Sequence, residues 1–221
     1  MTRVLHSERR GPASGGKPRS AVVFVHGYGA DGGDLLGLAD PLAPHLPDTV
    51  FFAPDAPERC TGNPLGYQWF PIPWLDGSSE AAALAGLAQS AHDLDAFLDR
   101  LLVEEGLSPP QLALVGFSRG TMMSLHVAPR RSAPIACVVG FSGRLMQPGQ
   151  LQADCISRPP VLLIHGDQDE VVPLSSLPEA ADALVAAEFE TYSHISEGTG
   201  HGIGHDGLSL ALSFLREKLP K

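Results

Sequence analysis

Short apolar runs alternate along this chain with longer segments of helical periodicity. Six apolar runs have the length of buried strands, and they cover residues 21–25, 49–53, 111–115, 135–141, 160–166 and 189–195. The helical segments begin near Asp34 and at Glu80, and three more cover residues 121–128, 178–188 and 207–219. Strands that alternate with helices predict a mostly parallel central sheet with helices on both faces, which is the α/β class.

The length of the chain predicts one domain. A chain of 221 residues is ample for a single core, and we expect one domain that spans residues 1–221. A hydrophobic content of 43% and a mean hydropathy of +0.04 are typical of a soluble globular protein. No apolar stretch reaches the ~18–20 residues that a membrane span needs, and the first 20 residues lack the apolar centre of a signal peptide.

Charge and cysteine content predict the compartment of the protein and exclude some classes of partner. The formal net charge of −10 repels phosphate backbones and anionic lipid heads, so we expect no nucleic-acid partner and no stable membrane association. Cys60, Cys137 and Cys155 are odd in number and lack metal-ligand spacing, which favours free thiols in the cytoplasm. No H-E-x-x-H or comparable pattern occurs, so we expect no catalytic metal. The oligomeric state stays open, with a homodimer among the alternatives.

The clearest chemical signal is the segment "LVGFSRGT" at residues 114–121, which places Ser118 in a G-x-S-x-G pattern. An apolar strand precedes it and a helical pattern follows it. That context predicts a sharp strand-to-helix turn that presents the serine as a nucleophile. A free serine hydroxyl is a weak nucleophile and needs a base. The alternative is an ordinary serine in a tight turn.

An acid and a base for Ser118 are expected later in the chain, in that order. The segment "HGDQDE" follows the strand at 160–166 and offers Asp167, Asp169 and Glu170, of which we favour Asp169 because Asp167 directly follows the turn glycine. The segment "GTGHGIGHDG" offers His201 and His205. We favour His201, which lies between two glycines ahead of the last helix.

Attack on an acyl carbon also requires donors for the oxyanion. Two backbone N–H groups normally supply them, one from the residue after the nucleophile and one from the loop after an early strand. Arg119 holds the first of these positions. The loop "HGYGAD" after the strand at 21–25 holds the second, where Tyr28 is the candidate.

At this point the chain resembles the phospholipase/carboxylesterase family of α/β-hydrolases, which includes the acyl-protein thioesterases. The resemblance rests on six blocks that occur in order over nearly the whole chain: "FVHGYGADGGDL", "QWFPI", "LVGFSRGTMMSLHVA", "GFSGRL", "HGDQDEVVP" and "GTGHGI". It implies a single-domain α/β-hydrolase fold without a large cap, and Ser118, Asp169 and His201 as the catalytic triad. It also implies backbone oxyanion donors at Tyr28 and Arg119.

The resemblance further implies that the segment with Trp69 lines an acyl pocket, with Val172 close to it. We therefore expect a serine esterase that hydrolyses small carboxylic esters through an acyl-enzyme and without a cofactor. An acyl-protein thioesterase or lysophospholipase activity on the same fold is the first alternative. A catalytically silent binding module is the second.

Arg119 departs from the family pattern, which usually has glutamine after the serine. Its side chain has three candidate roles: exposure to solvent, pairing with Asp31 or Asp34, or recognition of an anionic group on the substrate. The first two roles leave only its backbone N–H in the chemistry.

Overall fold

The computed structural model describes residues 2–60 and 63–220. Within this part of the chain, seven strands form a central sheet and two form a separate small hairpin. The strands are β1 (Ser7–Arg10), β2 (Ser20–Val25), β3 (Thr49–Pro54), β4 (Glu58–Arg59), β5 (Tyr67–Gln68), β6 (Leu112–Phe117), β7 (Cys137–Phe141), β8 (Val161–Gly166) and β9 (Thr191–Ser196).

Eight α-helices lie in the same described residues: α1 (Gly32–Leu36), α2 (Ala39–Leu42), α3 (Pro73–Asp76), α4 (Glu80–Glu105), α5 (Arg119–Val127), α6 (Leu151–Asp154), α7 (Ser176–Ala186) and α8 (His205–Lys218). None of these helices combines the length and the apolar character that crossing a membrane demands. The long helix α4 starts at a Ser79 cap, whose side chain accepts the Ala82 N–H, and ends at Gly106 in the left-handed conformation.

The central sheet has the strand order β1-β3-β2-β6-β7-β8-β9. All neighbours are parallel except β1 and β3, which are antiparallel. Successive residues of the inner strands point to opposite faces; in β2, Val23 packs into the core beside α4, α5 and α7, whereas Phe24 packs into the core beside α2 and α8. Both faces of the sheet are therefore covered, as the apolar runs of the sequence predict.

The fold class is confirmed, and each of the six expected strands forms, with bounds that differ by at most two residues. One helix differs from expectation. The helix expected from Asp34 is interrupted: α1 ends at Leu36, and α2 is followed by a 3₁₀ turn at Ala43–His45. Pro41 and Pro44 lack the N–H that a continuous helix would need.

Candidate active site

Ser118 lies at the junction of β6 and α5, and its backbone has a conformation that residues other than glycine rarely adopt. Its φ is +53° and its ψ is −114°, and its N–H donates to the carbonyl of Phe141 over 2.8 Å. The turn depends on glycine at both ends. A Cβ on Gly116 would lie 2.5 Å from the Gly120 backbone, and a Cβ on Gly120 would lie 1.6 Å from the Val25 oxygen. The strand-to-helix turn that the G-x-S-x-G pattern predicts is present.

Asp169 follows β8, and its carboxylate is buried and held on both oxygens. Oδ1 accepts the N–H groups of Val171 and Val172, each at 2.9 Å, and Oδ2 lies 2.8 Å from Nδ1 of His201. Burial alone would raise the pKa of this carboxyl, but the hydrogen bonds from His201 and the two N–H groups outweigh it and hold the pKa below its usual value. Asp169 is therefore a charged acceptor with a fixed orientation.

His201 lies on the loop between β9 and α8, and its ring reaches both Asp169 and the surface. The side chain is 19% exposed, and the ring packs on Phe117 with 4.9 Å between centroids. Because a carboxylate only accepts hydrogen bonds, Nδ1 carries the proton toward Asp169 and Nε2 is left as the basic nitrogen of the neutral ring.

A cavity of about 330 Å³ opens at the carboxyl ends of the parallel strands, where α/β sheets bind ligands. The described residues that line it come from the loops after β2, β7, β8 and β9, from the junction of β6 and α5, and from the segment around α3: Gly27, Tyr28, Ala30, Ile72, Trp74, Leu75, Phe117, Ser118, Arg119, Met122, Arg144, Val171, Val172, Pro173 and His201. The structure thus brings Tyr28, Ser118, Arg119, Val172 and His201 to one cavity. Asp169 lies behind His201 and does not line it.

The expectation for Trp69 needs a correction. Its segment does line the cavity, through Ile72, Trp74 and Leu75, but Trp69 itself is fully buried. Its indole N–H donates to the carbonyl of His26 over 2.9 Å. Because its N–H has this partner, the indole can be buried completely, and Trp69 supports the segment from behind.

The competing acid and base candidates lie elsewhere. Asp167 is exposed, and its N–H donates to the carbonyl of Ser196. His205 is exposed at the first position of α8. Two further histidines brace loops. His26, directly after β2, accepts the N–H of Ala56 at 2.9 Å. His165, near the end of β8, has its Nε2 2.9 Å from the carbonyl of Val172 and 3.3 Å from Oδ2 of Asp169.

The Arg119 side chain adopts neither of the roles that would remove it from the cavity. It is 9% exposed, so it does not extend into solvent. Asp31 and Asp34 form the capping box of α1 instead of pairing with it. The guanidinium lies 4.0 Å above the ring of Phe70, and Nη1 donates weakly to the carbonyl of Pro71 at 3.4 Å.

Arg144 is a cavity residue that the sequence analysis did not select. It belongs to the loop after β7, is exposed, and lines the cavity together with Arg119. The block "GFSGRL" contains it, but no spacing rule ties an arginine at this position to Ser118. Only the placement of β7 next to β6 in the sheet brings the two together.

A mostly parallel sheet of this order, with a strained serine at the turn between a central strand and its helix, defines an α/β-hydrolase. The chain belongs to the phospholipase/carboxylesterase family, whose model matches residues 12–219. It is an ester-hydrolysing enzyme.

Relatives and solved structures agree with this placement. The crystal structure of esterase PE8 is 44% identical, covers 98% of this chain and 100% of its own, and superposes with a TM-score of 0.93. Esterase YpfH of Escherichia coli is 26% identical over 206 residues, which are 93% of this chain and 86% of the relative. Acyl-protein thioesterase 1 of Saccharomyces cerevisiae is 27% identical over 213 residues, which cover 91% of this chain and 93% of the relative.

Proposed function

We propose that the protein is a serine esterase that hydrolyses small carboxylic esters through an acyl-enzyme on Ser118. The observation that carries the proposal is the joint placement of three residues. Ser118 and His201 line one cavity, and His201 is hydrogen-bonded to the buried Asp169 at 2.8 Å. This is the arrangement that activates a serine: nucleophile, base and a third group that orients the base.

In the proposed reaction, Ser118 Oγ attacks the carbonyl carbon and its proton passes to Nε2 of His201. Asp169 holds the ring and stabilises the imidazolium that forms. The backbone N–H groups of Tyr28 and Arg119 receive the negative charge on the carbonyl oxygen. Arg119 is the first residue of α5, so its N–H has no acceptor within the helix, and loss of one such donor costs about 2.7–4 kcal/mol in the barrier.

The tetrahedral adduct then collapses. The alkoxide leaves with the proton from His201, and an ester bond joins the acyl group to Ser118. Water attacks this ester while His201 takes its proton, the acid leaves, and Ser118 regains its hydroxyl hydrogen. Every group in the cycle returns to its starting state, so the chemistry needs no cofactor.

We also propose a cytoplasmic location. The free, buried thiols of Cys60 and Cys137 support it, because thiols stay reduced in that compartment.

A second candidate is hydrolysis of a longer acyl ester or thioester. Trp74 is 80% exposed at the cavity mouth, and Leu75 and Val171 are also exposed there, so a long chain could extend across this apolar rim. The name of the yeast relative, acyl-protein thioesterase 1, favours the same alternative.

A series of p-nitrophenyl esters from acetate to palmitate, with an S-acyl thioester beside it, tests the choice. We expect kcat/KM to be highest for short acyl chains, because the cavity holds about 330 Å³. A maximum at palmitate, or a preference for the thioester, would support the second candidate. Hydrolysis of none of these compounds by the folded protein would contradict both proposed substrate classes.

A further inference from the structure

The cavity wall carries an unusual charge. Among the described residues that line it, Arg119 and Arg144 are cationic and none is Asp or Glu. Neither arginine forms an ion pair with a carboxylate of the described residues. The protein as a whole has a net charge of −10, so two cations without carboxylate partners beside the nucleophile give the cavity a charge opposite to that of the whole chain.

The position of Arg119 is unfavourable for a cation. Burial lowers the pKa of its guanidinium, and the positive charge of Arg144 lowers it further, to about 10. The group is still charged at neutral pH, but its charged form is destabilised relative to water. A bound anion would offset this destabilisation.

The carboxylate of Asp76 does not serve as that anion. Asp76 partly compensates the charge of Arg119, but its two oxygens accept the N–H groups of Ile72 and Ser78, each at 2.9 Å. Asp76 therefore caps its own segment. For the five N–H donors of the Arg119 guanidinium, the described residues supply one weak acceptor, the Pro71 carbonyl at 3.4 Å.

The guanidinium of Arg119 is nevertheless held in place. It lies 4.0 Å above the ring of Phe70, and this stacking fixes the plane of its donors. A planar fork of N–H donors matches the two oxygens of a carboxylate. Ser118 and Arg119 line the same cavity, so one small molecule can present its ester to Ser118 and its carboxylate to Arg119.

We propose that Arg119 and Arg144 bind a carboxylate of the substrate, so that the enzyme prefers monoesters of short dicarboxylic acids to neutral esters. The inference rests on the proposed function of Ser118 and names its substrate class. The reaction adds water to a monoester anion and yields the dicarboxylate, the alcohol and one proton. A cavity of about 330 Å³ lies at the lower end of the range for small-molecule sites, which fits a short diacid chain.

The competing explanation is that Arg119 only braces the segment around α3, through Phe70 and Pro71. A brace affects all esters alike, whereas a carboxylate site affects charged esters selectively. The discriminating quantity is therefore the ratio of kcat/KM for a monomethyl ester to kcat/KM for the dimethyl ester of the same diacid. Succinate and adipate provide two such pairs, in which the scissile methyl ester is the same.

The test measures this ratio in the wild type and in Arg119→Gln, Arg144→Gln and Arg100→Gln. After correction for the two equivalent esters of the dimethyl compound, we expect a wild-type ratio above one for at least one diacid. Arg119→Gln should lower the ratio by about ten- to a hundredfold, as loss of a charged hydrogen bond does. Arg144 is exposed, and its loss should lower the ratio by about 1.5- to fivefold. Arg100 lies on α4 and does not line the cavity. Arg100→Gln therefore removes the same charge at a distant position and should leave the ratio unchanged.

An equal fall for both esters in Arg119→Gln would overturn the inference in favour of the brace, and so would a wild-type ratio below one for both diacids. If Arg119→Gln does not fold, Arg144→Gln and the wild-type salt dependence decide. Salt screens the attraction of an anion, so raising NaCl from about 20 mM to about 500 mM should lower the ratio, and no change would overturn the inference. Turnover of the dimethyl ester by Ser118→Ala tests the proposed function separately, because that compound carries no carboxylate.

Discussion

Nδ1 of His201 lies 2.8 Å from Oδ2 of Asp169, and the carboxylate is fixed independently of the histidine. Its other oxygen accepts the N–H groups of Val171 and Val172, and the carboxylate is fully buried. The imidazole thus meets an acceptor whose position the backbone sets. This relationship is the physical basis for assigning Asp169 the orienting role in the proposed mechanism.

Replacement of that acceptor should stop catalysis with little change in the fold. In Asp169→Asn the amide can donate to Nδ1, which favours the tautomer with its proton on Nε2, where the serine proton must go. We expect kcat on p-nitrophenyl acetate to fall by about 10³–10⁴-fold. Asp167→Asn is the matched control, because Asp167 is exposed two residues earlier. A full loss in the control with an active Asp169→Asn would transfer the role to Asp167.

Alanine substitutions of His201 and His205, the two histidines near the last helix, should differ strongly in their effect on turnover. His201→Ala removes the proposed base and should reduce kcat by at least about 10⁴-fold. His205→Ala changes an exposed residue at the start of α8 and should stay within about threefold of the wild type. Steady-state kinetics on the same ester measure both. An inactive His205→Ala beside an active His201→Ala would show that the assignment is reversed.

The lowered pKa of Asp169 also predicts how stability responds to acid. The unfolded carboxyl, with a pKa of about 3.9, binds its proton at higher pH than the folded one. The stabilisation is therefore complete above that value and is lost as the pH falls through the folded pKa. Urea unfolding at about pH 5 and about pH 3 should show a larger loss of unfolding free energy for wild type than for Asp169→Asn. Equal losses in the two proteins would contradict the shift.

The serine turn should tolerate no side chain at Gly120. A Cβ there would lie 1.6 Å from the Val25 carbonyl oxygen, and backbone cannot move away as a flexible side chain can. We expect Gly120→Ala to lower the free energy of unfolding by more than about 3 kcal/mol or to prevent folding. Gly149→Ala is the control, because nothing lies within 4 Å of its added Cβ. A melting temperature of Gly120→Ala equal to that of the control would rule out the close approach of α5 to β2.

The sequence predicts the inner strands well because both faces of a parallel sheet are buried, so each strand is a continuous apolar run. β2 and β6 are examples, with every residue of "SAVVFV" buried. The edge strand β1 gives no such signal: its sequence is "SERR", and its burial pattern is half-exposed. It forms because it pairs with β3, which is a long-range contact that local periodicity does not contain.

The sequence also predicts which polar residues meet at the site. Parallel strands have their carboxyl ends at one edge of the sheet, so residues that directly follow those strands lie close together. Side-chain direction is not predictable in this way. Trp69 turns into the core although its segment lines the cavity, and the Arg119 side chain stacks on Phe70 at the cavity wall instead of entering solvent or pairing with Asp31 or Asp34. Those directions depend on which partners the folded chain supplies, and the sequence alone does not name them.

The central claim is that Ser118 forms the acyl-enzyme, and covalent labelling tests it most directly. The protein is incubated with a fluorophosphonate, activity on p-nitrophenyl acetate is followed, and the modified peptide is sequenced by mass spectrometry. We predict one adduct, on Ser118, that forms in step with the loss of activity. We also predict that Ser118→Ala is inactive and unlabelled, with an unchanged circular dichroism spectrum. An adduct on another residue that tracks the loss of activity, or a folded Ser118→Ala that retains near wild-type turnover, would contradict the claim.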